Sequence, residues 1–275
     1  MDGRAKKGRR GGTAPGREGE GGSGRLVRVA AMGDIHYNGT DRTVLTQLEA
    51  AVAGEADVLV VCGDLTTHGQ PTQMLAVAEA LARMDLPVVA VFGNHDHEGE
   101  AAEENTRILS DHGIHVLDGD TVVIDGVGFA GVKGFAGGFG RGALAPFGER
   151  LIKEFVQSAL DEALKLENAL RQLQTEVKVA VLHYAPIEDT IHGEPEVIWP
   201  FLGSSRLLQP IDTMQPDVVF HGHAHHGSPE GRTPGGVPVY NVSLPLLSSR
   251  DAMFHLWSAP APERRTDEAS AGAPR

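Results

Sequence analysis

Two segments of the chain, "DVLVVCGDLT" (residues 57–66) and "PVVAVFGNHD" (residues 87–96), indicate the fold class. In each segment a run of apolar residues, rich in Val, ends at a glycine that is followed by polar side chains. A short, continuously apolar run is typical of a strand that is covered on both faces. The residues between them, 70–83, have a helical pattern of apolar positions, so the stretch reads as a β-α-β unit around a parallel sheet.

The same alternation continues outward from these two segments, and the chain is therefore predicted to be α/β. Parallel strands are predicted at 26–32, 57–62, 87–92, 177–182 and 217–220. Helices are predicted at 43–54, 70–83, 101–112 and 147–175. Further strands, which would form a second sheet, are predicted at 121–124, 127–132, 237–241 and 253–257.

Polar residues follow the predicted parallel strands directly: Asp34, Asp64, Asn94, His183 and His223. We expect their side chains to converge beyond the carboxyl ends of one sheet, where ligand sites of open α/β sheets lie. A single Gly-Asp pair after a strand is a common turn, but five strand ends with acid, amide or imidazole groups indicate a site. Oxygen and nitrogen ligands without sulfur suit Mn, Fe, Co or Zn in a reactive centre, and two such cations would need an anionic bridge. Asp64 is central in sequence among the candidate residues, and an Asp at a strand end can form such a bridge through its two oxygens.

The amino-acid composition argues against several kinds of function. The 275 residues carry a formal net charge of −13, although residues 1–25 hold seven Lys and Arg against three Asp and Glu. The rest of the chain is therefore strongly acidic, which disfavours nucleic acid as a partner because phosphate backbones are held mainly by Lys and Arg. Cys62 is the single cysteine, so an intrachain disulfide and a thiolate zinc cluster are excluded. Its apolar setting indicates a small buried side chain.

The two ends of the chain are poor in apolar residues. Residues 1–25 and 258–275 are rich in Gly, Ala, Pro and charged residues, and we predict that both are disordered. The folded domain is then 26–257. The sequence shows neither an apolar region of the kind found in secretory signals nor a run of about 20 apolar residues that would span a bilayer. A cytoplasmic location without membrane association is expected, and nothing indicates the oligomeric state.

The order of the motifs, "GDIH" (33–36), "GD" (63–64), "GNHD" (93–96), the His of "VLHY" (181–184) and "GHAH" (222–225), resembles the calcineurin-like metallophosphoesterase superfamily over about residues 25–257. The resemblance implies a four-layer α-β-β-α sandwich and two metal ions. It implies that Asp64 bridges the two metals. The first metal would be held by Asp34, His36 and His225, and the second by Asn94, His183 and His223.

The resemblance also implies a mechanism, in which a metal-activated hydroxide attacks phosphorus. Metal coordination lowers the pKa of water to about 7, and the cations neutralise the phosphate oxygens. His95 would lie beside the metals without binding them, where it protonates the leaving oxygen or stabilises the charge of the transition state. Asp96 completes the motif but is expected to hold the turn rather than to act in catalysis.

Departures from the sequence motifs of the Ser/Thr protein phosphatases reduce the range of expected substrates. Those enzymes usually read G-D-x-x-D-R-G and G-N-H-E, whereas this chain reads "GDLTTHG" and "GNHD". The Arg that helps to hold a phosphorylated side chain is missing, which argues against protein phosphatase activity. The motifs look more like the bacterial branch that includes cyclic-nucleotide phosphodiesterases. A small phosphodiester or phosphomonoester is therefore the expected partner, with the diester favoured.

Three histidines next to the motifs, His68, His97 and His226, are candidates for substrate contact, with surface or supporting roles as the alternative. Two loops are candidates for determining the substrate. The first, 133–142, is rich in Gly and carries Lys133 and Arg141 but does not match a P-loop, and a plain connector is an equal alternative. The second, 188–205, contains Trp199, which looks exposed, and Phe201. It would form a pocket wall or an oligomer contact.

Two other functions compete with hydrolysis. The fold could serve as a non-catalytic binding scaffold, but scaffolds of this superfamily typically lose ligands or the His of G-N-H-D, and this chain keeps all of them. A nuclease recruited by the basic N-terminal residues is the other alternative. The acidic body and the lack of a groove with interleaved basic and aromatic residues argue against it.

Overall fold

The structure, a computed structural model, describes residues 25–260. The predicted disorder of the two ends therefore lies outside the described residues, except at the C-terminal boundary. There the last strand continues through Pro260 because Ser258, Ala259 and Pro260 pair with Arg28, Val27 and Leu26. The folded part thus extends three residues beyond the expected boundary at 257. Proline is tolerated there because the strand lies at the edge of its sheet.

The first sheet has five strands in the order β11-β1-β2-β3-β4. Its strands are β1 (Leu26–Met32), β2 (Val58–Cys62), β3 (Val88–Val91), β4 (His115–Val116) and β11 (His255–Pro260). The first four run parallel, and β11 is antiparallel to β1. The helices that connect them are α1 (Thr43–Val52), α2 (Pro71–Ala82) and α3 (Ala102–Asp111).

The second sheet has six strands in the order β5-β6-β7-β8-β10-β9. Its strands are β5 (Asp120–Ile124), β6 (Val127–Gly131), β7 (Val177–Val181), β8 (Val218–His221), β9 (Glu230–Arg232) and β10 (Pro238–Asn241). The four central strands are parallel, and the two edge strands are antiparallel to their neighbours. The helices of this half are α4 (Arg150–Gln172), α5 (Trp199–Leu202), α6 (Leu208–Met214) and α7 (Leu244–Ser248).

The two sheets stack face to face and form the inner layers of an α-β-β-α sandwich. In β7, Val179 and Val181 join the core shared with the first sheet, whereas Ala180 and the adjoining Leu182 pack with α4 and α6 on the other side. Successive side chains of a strand point to opposite faces, so both faces of this strand are buried. The uninterrupted apolar runs of the sequence are explained by this double coverage.

The predicted assignment of the parallel strands to a single sheet is wrong. Strands β1, β2 and β3 lie in the first sheet, and β7 and β8 lie in the second. A strand in either sheet has helices on one face and the other sheet on its second face, so an apolar run does not reveal which sheet it joins. The carboxyl ends of both sheets nevertheless meet, because Gly33 pairs with Ser243 and its N–H donates to the carbonyl of Val242 at 2.9 Å.

Some short elements were not predicted, and one predicted loop has regular structure. Strands β4 and β9 have two and three residues, too few for a periodic pattern to be recognised. The loop 188–205 contains two single turns of 3-10 helix and the helix α5. Its Trp199 is partly buried rather than exposed and packs edge-on against His192, whereas the side chain of Phe201 is 60% exposed.

Candidate metal centre

The structure brings all eight residues predicted for the metal centre to one place, where the carboxyl ends of both sheets meet. The turns after the first sheet contribute Asp34, His36, Asp64, Asn94 and His95. The turns after the second sheet contribute His183, His223 and His225. The donor atoms of the Asp and His residues form three overlapping groups, and within each group they lie no more than 4.8 Å from one another. Asn94 adds a contact of 3.0 Å between its Oδ1 and Nε2 of His183. Two of these groups share no residue: Asp34, His36 and His225 form one, and Asp64, His183 and His223 form the other.

The backbone at this place is held in an uncommon conformation. Asp34, His36, Asp64 and His223 all have φ between 47° and 69°, in the left-handed region. Asp and His tolerate this region better than most residues, but it still costs about 1–3 kcal/mol per residue when the surrounding structure imposes it. Such strain is concentrated at functional sites. The turns therefore aim these side chains at a common point at the expense of stability.

Three glycines that precede the polar residues are required by close approach. A Cβ at Gly222 would lie 2.3 Å from Oδ2 of Asp34, and one at Gly63 would lie 2.5 Å from Nδ1 of His183. A Cβ at Gly93 would lie 2.0 Å from Oδ1 of Asp64. These distances are shorter than any side chain allows, so the glycines make room for the Asp and His side chains of neighbouring turns.

We expect Gly93→Ala to abolish high-affinity metal binding, because the added methyl group displaces the Asp64 carboxylate. We also expect a loss of about 1–3 kcal/mol in the free energy of unfolding, the usual range for overpacking a buried position. Metal content after gel filtration and chemical denaturation would measure the two effects. Gly142→Ala is the matched control, since a Cβ there meets no atom within 4 Å. Normal metal content in Gly93→Ala would contradict the assignment of Asp64 as a ligand.

Asp34 anchors the first of the two separate groups. Its carboxylate is buried, accepts the backbone N–H of His223 at 2.9 and 3.0 Å, and lies 3.0 Å from Nε2 of His225. Burial alone would raise the pKa of Asp34, but the hydrogen bond with His225 and the nearby imidazoles outweigh it, and the pKa is lowered. Nε2 of His36 lies 3.9 Å from the same carboxylate and 3.4 Å from Nε2 of His225. Two imidazole nitrogens thus converge on one anionic oxygen.

Asp64 belongs to the second of the two separate groups and also lies against His36 of the first. Its Oδ2 is 3.7 Å from Nε2 of His36 and its Oδ1 is 3.5 Å from Nε2 of His183, so each oxygen faces a different group. Burial, together with the neighbouring charge of Asp34, raises the pKa of Asp64 to about 7. Two adjacent buried carboxylates are not readily ionised together unless a cation lies near them. This arrangement therefore fits a cation-binding site with Asp64 shared between two positions.

The tautomer of His183 gives a further test of this fit. Its Nδ1 donates a hydrogen bond to the carbonyl of Cys62 at 2.9 Å, and burial lowers its pKa to about 4, so the ring is neutral and Nε2 carries a lone pair. That lone pair faces Oδ1 of Asn94 at 3.0 Å and Oδ1 of Asp64 at 3.5 Å. Three electron-rich atoms turned toward one another repel unless a proton or a cation lies among them. A divalent cation fits this requirement.

His223 is held in the complementary tautomer. Its Nε2 lies 3.1 Å from the backbone carbonyl of Phe201, which can only accept, so Nε2 donates and Nδ1 carries the lone pair. Burial lowers the pKa of His223 to about 3 and that of His36 to about 4, so both rings are neutral at pH 7. Neutral imidazole is the form that binds metals.

His95 lies at the more open side of the cluster, with its side chain 39% exposed. Its Nδ1 donates to the carbonyl of Thr67 at 2.8 Å, and its ring packs edge-on against His36 with centroids 4.7 Å apart. Its backbone N–H donates to Oδ1 of Asp64 at 2.9 Å. The ring orientation is therefore fixed, and Nε2 is left for a substrate or a metal. His95 also belongs to a third candidate group, with His36 and Asp64, so proximity does not distinguish these two roles.

Asp96 holds two of the turns together, as the sequence suggested. It is fully buried, and its Oδ2 accepts the N–H groups of Gly93 and Leu65 at 2.9 and 3.1 Å. Its Oδ1 accepts the N–H and the hydroxyl of Thr66, both at 2.9 Å. Burial and the charge of Asp64 raise the pKa of Asp96 to about 7. This carboxyl group therefore fixes the turn of Asp64 against the turn of Asn94.

The three histidines considered for substrate contact, His68, His97 and His226, are all exposed. Nδ1 of His68 lies 3.2 Å from a carboxylate oxygen of Glu98, and the ring of His97 packs edge-on against Phe92. The backbone N–H of His226 donates to Oε1 of Glu194 at 2.7 Å. Their contact with a substrate remains a prediction.

Two residues that reasoning from the sequence did not assign to the site lie beside it. The ring of Tyr184 is 4.5 Å from that of His223 and 5.4 Å from that of His183. Nζ of Lys133 lies 5.3 Å from the centroid of the same Tyr184 ring. Tyr184 follows His183 directly, which is a weak signal in the sequence. Lys133 was visible only as part of a Gly-rich loop, 50 residues away from His183 along the chain.

A cluster of buried carboxylates and of imidazoles at the meeting edges of two stacked sheets is the kind of site at which metal ions activate water for hydrolysis. Comparison with known proteins agrees, since the calcineurin-like phosphoesterase model matches residues 27–227. The chain belongs to that family, whose members are in general metal-dependent phosphoesterases.

Individual relatives are distant. The UPF0046 protein K07C11.7 of Caenorhabditis elegans is 24% identical over 225 residues, which are 74% of this chain and 72% of that protein. The crystal structure of TT1561 from Thermus thermophilus matches with a TM-score of 0.53 and 15% identity, over 86% of this chain and all of that one. A putative 5′-nucleotidase from Staphylococcus aureus, solved in complex with alpha-ketoglutarate, has a TM-score of 0.50 and 15% identity, over 79% of this chain and 48% of that one. Identities this low show the fold alone.

Among residues 25–260, no helix combines the length and apolar character needed to cross a membrane.

Proposed function

We propose that this protein hydrolyses a small phosphate ester, preferentially a diester, at a centre that holds two metal ions. Asp34, His36 and His225 would hold the first ion, and Asn94, His183 and His223 would hold the second. Asp64 would bridge them. The observation that carries the proposal is the position of the Asp64 carboxylate, whose Oδ2 lies 3.7 Å from Nε2 of His36 and whose Oδ1 lies 3.5 Å from Nε2 of His183.

The donor set fits Mn, Fe, Co or Zn, because it combines carboxylate, amide and neutral imidazole without thiolate. Such ions, when bound, lower the pKa of water toward 7 and neutralise negative charge on phosphate oxygens. The chain itself supplies the arrangement: two carboxylates kept apart from solvent, and imidazoles whose tautomers are fixed by the carbonyls of Cys62 and Phe201. Preorganised groups of this kind need little rearrangement when a substrate binds.

His95 is the residue that we propose to act on the substrate. The carbonyl of Thr67 accepts the Nδ1 proton at 2.8 Å, so the ring is oriented and Nε2 is directed away from that contact. From the open side of the cluster, Nε2 could donate a proton to the oxygen that leaves phosphorus, or stabilise the charge that develops on it. Either role belongs to general acid or electrostatic catalysis.

A preference for diesters is supported by the acidic character of the chain, with its net charge of −13. A diester carries one negative charge at the reacting phosphate, whereas a monoester carries up to two, so the diester is repelled less. The motifs, which lack the Arg typical of protein phosphatases, support the same preference. The alternatives of a binding scaffold or a nuclease have no observation of their own in the described residues.

The experiment that tests this function compares an aryl phosphodiester with an aryl phosphomonoester, each supplied to Mn-loaded protein and to protein treated with a chelator. We expect turnover of both to require metal and the kcat/KM for the diester to be the larger. A higher kcat/KM for the monoester would contradict the diester preference and favour the nucleotidase type of activity named for the Staphylococcus aureus protein. No turnover of either ester by folded, metal-loaded protein would contradict the hydrolytic function.

A further inference from the structure

Lys133, which ends the turn after β6, is fixed beside a proposed metal ligand. Its carbonyl accepts the backbone N–H groups of His183 and Tyr184, both at 3.0 Å. The next residue, Gly134, donates its N–H to Oε2 of Glu162 on α4 at 2.8 Å. The backbone of Lys133 is therefore held between β7 and α4, and the start of its side chain has a defined position.

The ammonium group of Lys133 has few partners of its own. Nζ donates to the carbonyl of Gly134 at 3.1 Å and lies 4.8 Å from the centroid of the Phe135 ring. Glu162, the nearby carboxylate, is already engaged, since Oε1 accepts from Lys165 at 2.9 Å and Oε2 accepts from Gly134. Within residues 25–260 the lysine ion pairs closer than 4.0 Å all involve Lys165. A half-buried ammonium without a carboxylate in contact is costly. The carbonyl of Gly134 and the two aromatic rings offset part of this cost, and an anionic ligand would offset more.

The position of this ammonium relative to the metal centre follows from Tyr184. The Tyr184 ring packs 4.5 Å from His223 and 5.4 Å from His183, and Nζ of Lys133 lies 5.3 Å from its centroid. One aromatic ring thus separates the ammonium from two proposed ligands of the second metal. A phosphate oxygen bound at the metals is therefore not expected to reach Nζ directly, and a contact would have to come from another part of the same substrate.

We propose that Lys133 binds a second anionic group of the substrate, a phosphate or a carboxylate that is not attached at the reacting phosphorus. This inference rests on the proposed function, because it takes the metal centre as the place of the reacting phosphate. An acidic protein has a particular need for such a residue, since a substrate with two anionic groups is otherwise repelled. A charge-assisted hydrogen bond in a partly desolvated position offsets that repulsion locally. The substrate class is therefore a phosphate ester with a second negative group.

The test uses calorimetric titration of Mn-loaded protein with two phosphodiesters that differ in one group: methyl propyl phosphate, and the bisphosphate that carries a further phosphate on carbon 3 of its propyl group. We expect the wild-type protein to bind the bisphosphate about 10- to 100-fold more tightly, the range for one charge-assisted hydrogen bond. In Lys133→Gln, whose amide can still donate to the Gly134 carbonyl, this preference should disappear. In Lys133→Arg, which keeps the charge, part of the preference should remain.

Lys178→Gln is the matched control, because Lys178 is a partly buried lysine at the amino end of β7, opposite the metal centre. It removes the same charge from the protein and should leave the preference for the bisphosphate intact. An equal loss for both ligands in Lys133→Gln would place Lys133 on the reacting phosphate and overturn the inference alone. An unchanged preference in Lys133→Gln would also overturn it. If neither ligand showed Mn-dependent binding to the wild-type protein, the proposed function would fall, and the inference with it.

Discussion

Asp64→Asn is expected to reduce turnover by about 10³-fold or more, because it removes the anionic group that we propose the two metals share. The substitution is nearly isosteric, and its remaining oxygen can still accept the backbone N–H of His95, which now lies 2.9 Å from Oδ1. The loss should therefore arise from the missing charge and not from an altered turn. Metal content, measured by mass spectrometry on desalted protein, should fall together with kcat.

Although Asp64→Asn should lower turnover, it should raise the free energy of unfolding of chelator-treated protein. Burial and the charge of Asp34 raise the pKa of Asp64 to about 7 in the folded state, well above its ordinary value. The folded state therefore favours the protonated group, and ionisation makes folding less favourable as the pH rises from about 4 through 7. Asn has no such penalty. We expect Asp64→Asn without metal to be more stable than the wild type at pH 8, and the difference to shrink at pH 5.

Asp57→Asn is the matched control for both measurements. Asp57 stands at the amino end of β2 and Asp64 follows its carboxyl end, so the two variants alter the same strand at opposite ends. Asp57 pairs with Arg28 at 3.1 Å and accepts its backbone N–H at 2.8 Å, far from the metal centre. Its replacement should cost stability at pH 8 and leave kcat unchanged. Metal-dependent turnover of Asp64→Asn near the wild-type rate would show that Asp64 does not bridge two ions.

The sequence predicts the elements of this fold better than their arrangement. The prediction of β1 as residues 26–32 agrees with the structure, because an apolar run that starts after Arg25 and ends at Gly33 has clear limits. The helix predicted at 147–175 is shorter in the structure, Arg150–Gln172. It begins later than predicted because Gly148, with φ of 86°, does not have a helical backbone conformation. The division of the parallel strands between two sheets was not predictable from apolar runs that look alike in both.

The candidate site shows a similar division. Residues that follow a strand directly, such as Asp34 and His183, can be predicted as candidates from the sequence, although they converge because the ends of two sheets meet and not because they share one sheet. The carbonyls that fix the tautomers, those of Cys62, Thr67 and Phe201, were not found, since any residue can supply a backbone carbonyl. The sequence marks Lys133 only as part of a loop that could determine the substrate, because its relation to Tyr184 depends on how β6 pairs with β7, which periodicity does not specify.

The removal of the His95 side chain is the second change with a large expected effect, and its result depends on the leaving group. If His95 donates a proton to the departing oxygen, His95→Ala should slow the hydrolysis of an alkyl phosphodiester by about 10²- to 10⁴-fold, the usual contribution of a positioned general acid. A 4-nitrophenyl ester, whose leaving group departs as a stable anion, should be slowed far less. Comparing the two esters therefore isolates proton donation from other effects of the substitution.

The metal content of His95→Ala separates this role from direct coordination. A catalytic His95 leaves the metal stoichiometry unchanged, whereas a ligand, as the group with His36 and Asp64 would allow, takes metal with it and slows both esters equally. His112→Ala is the matched control. Its Nδ1 donates to the carbonyl of Ile108 at 2.8 Å, the same distance as between His95 and Thr67, but at the end of α3. Loss of that contact should leave both rates unchanged, so a selective loss in His95→Ala reflects the place of its Nε2 at the open side of the metal centre.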